Sequence, residues 1–434
     1  MPTFRFQSNY GTLPLFIFAS NFREFISVMS NLRRVLPFLV LFTINAFQSV
    51  SAQQPTPNNK PNTDKSRIDK PYVIPSPPSI AAESFLLIDF HSGHVLASKN
   101  ANERVEPASL TKIMTGYVVI NELKNDNISM DDMVTISHKA WKMPGSKMFI
   151  EVGKQVSVRD LIKGMVIQSG NDASVALAEM VAGSEEVFAQ LMNKYATTIG
   201  MTNTHFINAT GLPHEDHYTS AHDLALLTKA LITEFPEEYK WYSEKKFTFN
   251  GITQYNRNKL LWQDPTVDGL KTGHTNSAGY CLVASALRDE TRLISVVLGA
   301  TGAEKRVQET QKLLNYGFRF FETHKLYSAG QRLNDAVVWE GTRDLIGVGT
   351  AEDLYVTIPR GQYKNLVIES SIQPELKAPI QKGQDLGSIH ISLSNNIIAK
   401  RPLVALSEVE EGSFFKKLID QIKLFINNLF SFLD

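Results

Sequence analysis

The chain has a single cysteine, Cys281, among 434 residues. No internal disulfide can form, and with no His/Cys cluster near it there is no basis for a structural zinc site. Charge of neither sign predominates. Lys plus Arg and Asp plus Glu number 44 each, so the basic footprint of a nucleic-acid binder is missing. A spanning segment is not expected either: the N-terminal apolar run Val35 to Ile44 is too short and is broken by Pro37. No internal repeat is visible. What remains is an ordinary globular composition, 43% hydrophobic and 20% charged, on a chain long enough for two domains plus tails.

The N-terminus reads as an address. Asn31-Leu32-Arg33-Arg34 is basic, Val35 to Ile44 is apolar, and Val50-Ser51-Ala52 offers small residues for a signal peptidase. Residues 1–52 are therefore expected to be a leader and secretory signal, cleaved after Ala52. Met29, just before the basic residues, is the expected true start, and a long natural leader is the alternative. No Cys follows the cleavage site, so lipid attachment there is not expected. Residues 53–79, rich in Pro, Asn, Lys and Ser, read as a linker.

Phe85 to Asp89 and His94 to Ala97 are β-type runs around the turn His91-Ser92-Gly93. Helical patterns follow over 109–123, 158–168, 173–182, 187–199, 221–233 and 304–321. Val267 to Lys271, Tyr280 to Ala286 and Leu293 to Leu298 read as strands, the last two joined by the turn Arg288-Asp289-Glu290. Strands at both ends with helices between predict an α+β domain over residues 80–325. Short apolar runs at 336–338, 354–356, 366–368 and 388–391, separated by turn residues, predict a small all-β sandwich over 327–406. In the tail, 412–434, Phe414/Phe415, Leu418/Ile419, Ile422, Phe425/Ile426, Leu429/Phe430 and Leu433 recur at helical spacing opposite Lys416, Lys417, Asp420, Lys423, Asn427 and Asn428. This amphipathic helix is read as an in-plane membrane anchor. The alternative is a helix docked on its own domain or on a dimer partner.

Three short motifs occur in order: Ser109-Leu110-Thr111-Lys112, Ser169-Gly170-Asn171 and Lys271-Thr272-Gly273. Singly they are weak. Ser-x-x-Lys recurs at Ser243 to Lys246 and Ser413 to Lys416, and Ser-x-Asn at Ser394 to Asn396. Only Ser109 opens an apolar helix. On a helix, residues i and i+3 share a face, so Ser109 and Lys112 meet. Burial, nearby positive charge and the first turn of a helix all disfavour the ammonium form. A neutral Lys112 can then take the Ser109 proton, with Lys271 supplying part of the positive field. Together the three motifs form a catalytic signature of serine acyl-transfer enzymes. His222 and Asp223, opening a helix, read as capping or surface residues, and Cys281 as a core residue.

Over roughly residues 80 to 434 the chain resembles the low-molecular-mass penicillin-binding proteins, serine D-alanyl-D-alanine carboxypeptidases, and within them the type-5 group. The resemblance rests on the three motifs and on Pro107 to Thr115, Asn256-Arg257-Asn258 before Leu260-Leu261-Trp262, Val267 to Thr275, Gly279-Tyr280 with Leu282 to Ala286, and Leu313 to Phe318. It implies a β-lactamase/transpeptidase-like antiparallel sheet with helices. It implies that Ser109 attacks the carbonyl between two D-alanines with Lys112 as base, that Ser169 and Lys271 pass the proton to the leaving amine, and that Asn171 orients the substrate amide. Backbone N–H groups of Ser109 and His274 would form the oxyanion hole. Lys271, Thr272, Gly273, His274, Arg257 and Arg306 would contact substrate, with Thr272 and the two arginines on its terminal carboxylate. The implied substrate is a peptidoglycan pentapeptide, the implied inhibitors are β-lactams, and the implied role is in cell-wall biogenesis and cell shape. The implied place is the periplasm, on the outer face of the inner membrane. No metal, cofactor or nucleic acid is expected.

A class A β-lactamase shares the three motifs but adds a glutamate between the second and third for deacylation. No Glu-x-x-Leu-Asn pattern stands there; Glu309, with Leu314-Asn315, falls after the third. A D,D-endopeptidase would differ only in the peptide bond accepted, and an inactive scaffold would not need the motifs intact.

Overall fold

The computed structural model describes residues 74–431. The signal, Met29, most of the linker and Leu433 lie outside the described residues, as do the side chains of Asn427, Asn428, Leu429 and Phe430.

The first domain is built on a five-stranded antiparallel sheet. Its strands are β1 (Ser84–Asp89), β2 (Val95–Lys99), β3 (Val267–Thr275), β4 (Gly279–Arg288) and β5 (Thr291–Ala300), in the order β2-β1-β5-β4-β3. Both faces are covered, which explains why these strands read as nearly unbroken apolar runs. The side-chain period of two sorts them into two cores. Leu86, Ile88, Cys281, Val283, Ile294 and Val296 enter the core shared with the central helices. Phe85, Leu87, Leu282, Ala284, Leu293 and Val297 enter a second core under the helix Ala303–Phe320.

The central helices are α1 (Thr111–Lys124), α2 (Val158–Ile167), α3 (Asn171–Ala182), α4 (Glu185–Ile199) and α5 (Ala221–Glu234). Ser157, Ser184 and Ser220 cap α2, α4 and α5 through hydrogen bonds to backbone N–H groups. The cap of α5 is thus Ser220. Asp223 is fully buried instead, accepting from Asn203 N–H (2.7 Å) and the Thr204 hydroxyl (2.8 Å). Helix α1 runs through the middle, with every residue from Thr111 to Ile120 buried. Strand β3 is one of the sheet's two edge strands, opposite β2, and is longer than its apolar run suggested because it carries on through Gly273, His274 and Thr275.

The all-β part begins at Phe321, earlier than the sequence pattern suggested. Strand Phe321–Tyr327 pairs with Leu354–Pro359, and a six-stranded sheet shares a core with them through Val338, Val348, Val356, Leu386 and Ile391. The aromatic spacing of Tyr316 and Phe320 extends the helical pattern up to this strand and hides its start. The two domains meet at a buried polar knot. Asp89, at the end of β1, accepts from Ser92 N–H (2.7 Å), the Ser92 hydroxyl (2.9 Å) and the Thr323 hydroxyl (2.6 Å). Ser92 also meets Thr357 at 2.6 Å, and His91 stacks on Tyr355 at 4.3 Å.

The tail is a helix, Phe414–Ser431. One stripe holds it to the β domain: buried Asp420 accepts from Glu340 N–H (2.9 Å), Lys416 reaches Asp344 (2.6 Å), and Leu424 is buried. Phe414, Phe415 and Phe425 are each at least 69% exposed. No helix among the described residues is long and apolar enough to cross a membrane.

The Asp89 knot yields a test. Asp89→Ala removes the acceptor of three donors, the Ser92 N–H and hydroxyl and the buried Thr323 hydroxyl, and is expected to cost about 3 kcal/mol of unfolding free energy. A lower urea midpoint with an unchanged circular-dichroism spectrum of the folded protein would show it; an unchanged midpoint would refute the knot's contribution.

Candidate active site

Ser109 sits in a one-turn 3-10 helix, Ala108–Leu110, that leads directly into α1. Ala108 before it is left-handed, with φ of +48°. Lys112, 1% exposed, lies one turn on. Its Nζ is 3.0 Å from Ser109 Oγ, 2.7 Å from Asn171 Oδ1 and 2.6 Å from Thr210 O. The last two atoms can only accept. A neutral amine gives its two hydrogens to them and leaves its lone pair for the Ser109 hydroxyl. Burial lowers the Lys112 pKa to about 7; the nearby Arg257 guanidinium acts in the same direction, against Asp172 and Glu185.

Ser169 comes from the end of the α2–α3 connection, left-handed at φ +66°. Its Oγ accepts from Lys271 Nζ (2.8 Å), which also donates to Thr272 O (3.1 Å). Burial, then Lys112, Arg257 and Arg306, hold the Lys271 pKa well below the ordinary lysine value. The third motif residue, Asn171, has both ends of its amide engaged. Oδ1 accepts from Lys112 and Nδ2 donates to Pro144 O (2.6 Å), while its backbone N–H donates to Ser146 O (2.7 Å). In this structure it braces the lysine against loop 143–150.

Ser109, Ser169, Asn171, Thr272, Gly273, His274, Arg257 and Arg306 all line one cleft of about 570 Å³. Asn256 and Asn258 fix the stretch around Arg257. Asn256 Nδ2 donates to Glu244 O (3.0 Å) and Asn258 Nδ2 to Gly269 O (3.0 Å). Arg306 donates to Gly273 O (3.0 Å), and its buried Nε has no partner among the described residues. The His274 ring lies 4.0 Å from that of Tyr280. No carboxylate is among the described residues lining the cleft, whereas the guanidinium groups of Arg257 and Arg306 both line it. Glu309 is buried on the far side of the sheet, paired with Lys312 at 2.8 Å. The other Ser-x-x-Lys copies are local: Ser243 donates to Lys240 O (2.7 Å), and Lys416 joins Asp344 and Asp420. Cys281 is fully buried, its thiol pushed up to about 11, and His222 is half-exposed outside the cleft.

Sequence reasoning missed three supports. Asp172, fully buried, accepts from Met148 N–H (3.0 Å), Phe149 N–H (3.0 Å) and Ala173 N–H (2.9 Å), which clamps loop 143–150. Thr210 supplies only a carbonyl, held by Asn208, whose Oδ1 accepts from Thr210 N–H (3.1 Å) and Gly211 N–H (2.7 Å). Gly211 (φ +85°) crowds the Ser109 turn; a Cβ there would lie 1.8 Å from Ala108 O. The Asn-x-x-Gly turn was the available signal.

Both domains have counterparts among known proteins. The family described as D-alanyl-D-alanine carboxypeptidase matches residues 72–302, and that described as penicillin-binding protein 5, C-terminal domain, matches 321–411. The D-alanyl-D-alanine carboxypeptidase DacA of Escherichia coli (strain K12) is 48% identical over 369 residues, covering 82% of this chain and 91% of its own. DacC of the same strain is 49% identical over 355 residues, covering 80% and 89%. The crystal structure of penicillin binding protein 5 from Haemophilus influenzae superposes with a TM-score of 0.76 at 43% identity, covering 78% of this chain and 100% of that one. With both domains matched and the cleft built as described, the chain belongs to the D-alanyl-D-alanine carboxypeptidase family of penicillin-binding proteins and is a carboxypeptidase of that kind.

Proposed function

We propose that Ser109 is the acylated nucleophile and Lys112 its base, in removal of the terminal D-alanine from peptidoglycan pentapeptides. The observation that carries this is the set of partners around Lys112 Nζ: two obligate acceptors and the Ser109 hydroxyl. The Ser109 proton passes to Nζ as Oγ bonds to the carbonyl carbon of the penultimate D-alanine. The C–N bond then breaks, and the departing amine takes a proton through Ser169 and Lys271, which are hydrogen-bonded to each other. Water hydrolyses the ester, releasing the shortened peptide and restoring Ser109. Arg257, Arg306 and Thr272 take the terminal carboxylate, which the cationic, carboxylate-free cleft favours. Backbone N–H groups of Ser109 and His274 hold the oxyanion, and Gly273 lets β3 approach: a Cβ there would lie 3.1 Å from Pro107 O. The free edge of β3 suits an extended peptide.

The same reading includes the address. The exposed Phe414, Phe415 and Phe425 face supports binding to a membrane surface, with the enzyme secreted to the periplasmic side and acting in wall maintenance and cell shape. Docking through Asp420 and Lys416 is compatible with this, because it uses a different stripe of the helix.

Labelled penicillin is expected to attach to the wild type at Ser109 and not to Ser109→Ala; a labelled alanine variant would refute the nucleophile. Mass analysis of a pentapeptide digest should show loss of one D-alanine, and Arg257→Ala should raise KM roughly ten-fold or more with a smaller change in kcat. Because the base form of Lys112 exists above its pKa of about 7, the penicillin acylation rate should rise as pH climbs through 7 and then level off. A rate flat from pH 5.5 to 8.5 (on the order of one and a half units either side) would sink Lys112 as base. The mature enzyme should float with anionic phospholipid vesicles, and Phe414→Ser/Phe415→Ser/Phe425→Ser should remain in the soluble fraction with its acylation rate intact.

A further inference from the structure

One buried titratable group beside the cleft has no part in the steps above. His217 is 2% exposed, packed edge-on against the Phe206 ring at 5.8 Å. Its Nδ1 accepts from Ile207 N–H (2.9 Å). The ring hydrogen must therefore sit on Nε2, which lies 2.8 Å from Thr111 Oγ1. The Thr111 hydroxyl in turn donates to Ala108 O at 2.9 Å. Every hydrogen in this chain has one direction, from the 207–217 loop to the carbonyl of the residue before Ser109.

That carbonyl belongs to the left-handed residue. Alanine at φ +48° costs about 1 kcal/mol or more and persists only where its surroundings impose it. Gly211 presses on the same carbonyl, and Thr210 of the same loop accepts from Lys112. One loop thus holds both members of the Ser109–Lys112 pair, the lysine through Thr210 and the serine turn through His217 and Thr111. Burial, with His205 and His214 nearby, lowers the His217 pKa to about 4, so the ring stays neutral and keeps one donor and one acceptor at working pH.

We propose that His217 is a positioning residue for acylation: through Thr111 it holds the left-handed turn at Ala108 that aims Ser109 Oγ at Lys112 Nζ. The proposal rests on Ser109 being the nucleophile. A purely structural role would work through the other ring nitrogen, pinning Ile207 and the loop. Two amide substitutions separate the arms. In His217→Gln the amide nitrogen replaces Nε2 and keeps the donor to Thr111. In His217→Asn the amide oxygen replaces Nδ1 and keeps only the Ile207 contact.

The test is the second-order rate of acylation by labelled penicillin per active molecule, counted by final adduct stoichiometry, with the thermal midpoint measured alongside. His217→Asn is expected to slow acylation about ten-fold or more, and His217→Gln less than about three-fold. Thr111→Val should match the His217→Asn loss, and the double variant should be no slower than either single one. Thr111→Val also carries the test alone if His217→Asn does not fold. Wild-type rates in Thr111→Val, or a His217→Gln loss as large as that of His217→Asn, would overturn the proposal, as would additive losses in the double variant. Peptide mapping of the wild-type adduct keeps the underlying reading separate: an adduct away from Ser109 sinks the nucleophile assignment, whereas an adduct on Ser109 with unaffected variants sinks only His217.

Discussion

A lysine amine buried without a counter-carboxylate in hydrogen-bond contact is the constraint on which the catalytic domain is organised. An ammonium group in that position is penalised by desolvation, and Arg257 adds positive potential. The protein resolves the conflict by surrounding Nζ with oxygens that accept but carry no full charge, Asn171 Oδ1 and Thr210 O. That solution is expensive in scaffold. Helix α1 must be enclosed on all sides, which explains ten consecutive buried residues and an apolar composition with little amphipathic bias. A helix buried all round needs covering layers: α3, α4 and α5 pack against it, and the sheet shares its core. The second core beneath Ala303–Phe320 then covers the sheet's other face.

The sheet contributes an edge. Because β3 pairs only with β4, its other side faces the cleft, and the Lys271-Thr272-Gly273 segment lies where an added strand would pair. Natural sheets usually blunt such an edge. Here it is protected by position: the edge forms one wall of a cleft whose other wall is the Ser169 turn and loop 143–150. Cations without carboxylates in the lining give the groove a polarity, favouring a chain that ends in a carboxylate.

The local part of this arrangement was legible in the sequence. Ser109 and Lys112 are three apart on a helical pattern, so geometry alone predicts their contact. Strands β1, β4 and β5 were equally readable, because apolar residues on both of their faces make nearly unbroken apolar runs. The Ser169–Lys271 contact, 102 residues apart, came only through the resemblance, since nothing in either segment encodes the distance between them. Contacts made by main-chain atoms escaped altogether. Thr210 acts as a carbonyl and any residue has one, so its identity carries no signal. Asp172 was overshadowed by the motif it follows, although an aspartate in a helix's first turn is usually a cap and here clamps a loop instead. The strand at Phe321 was hidden by an aromatic repeat shared with the preceding helix. In the tail, Asp420 read as part of the polar face and proved to be the buried contact that holds the helix to the β domain.

The left-handed residues around the cleft connect these omissions. Ala108, Phe149 and Ser169 all have positive φ without being glycine, which costs each about 1 kcal/mol or more. Each is held by a side chain from elsewhere: Ala108 O by the Thr111 hydroxyl, Phe149 N–H by Asp172, and Ser169 Oγ by Lys271. The cost is therefore distributed over side-chain hydrogen bonds, and it is why the motif residues alone are not a sufficient description of the site. A helix would turn Ser109 along its own axis, and a strand would place Ser169 on one face or the other. Left-handed turns let both hydroxyls point into one cleft from elements that otherwise pack for the core. Once those turns are imposed, glycine is required where another backbone must come close to them, at Gly211 against Ala108 O and at Gly273 against Pro107 O. The positions that look like loop filler in the sequence are thus the ones that bring Ser109, Lys112, Ser169 and Lys271 within reach of one substrate.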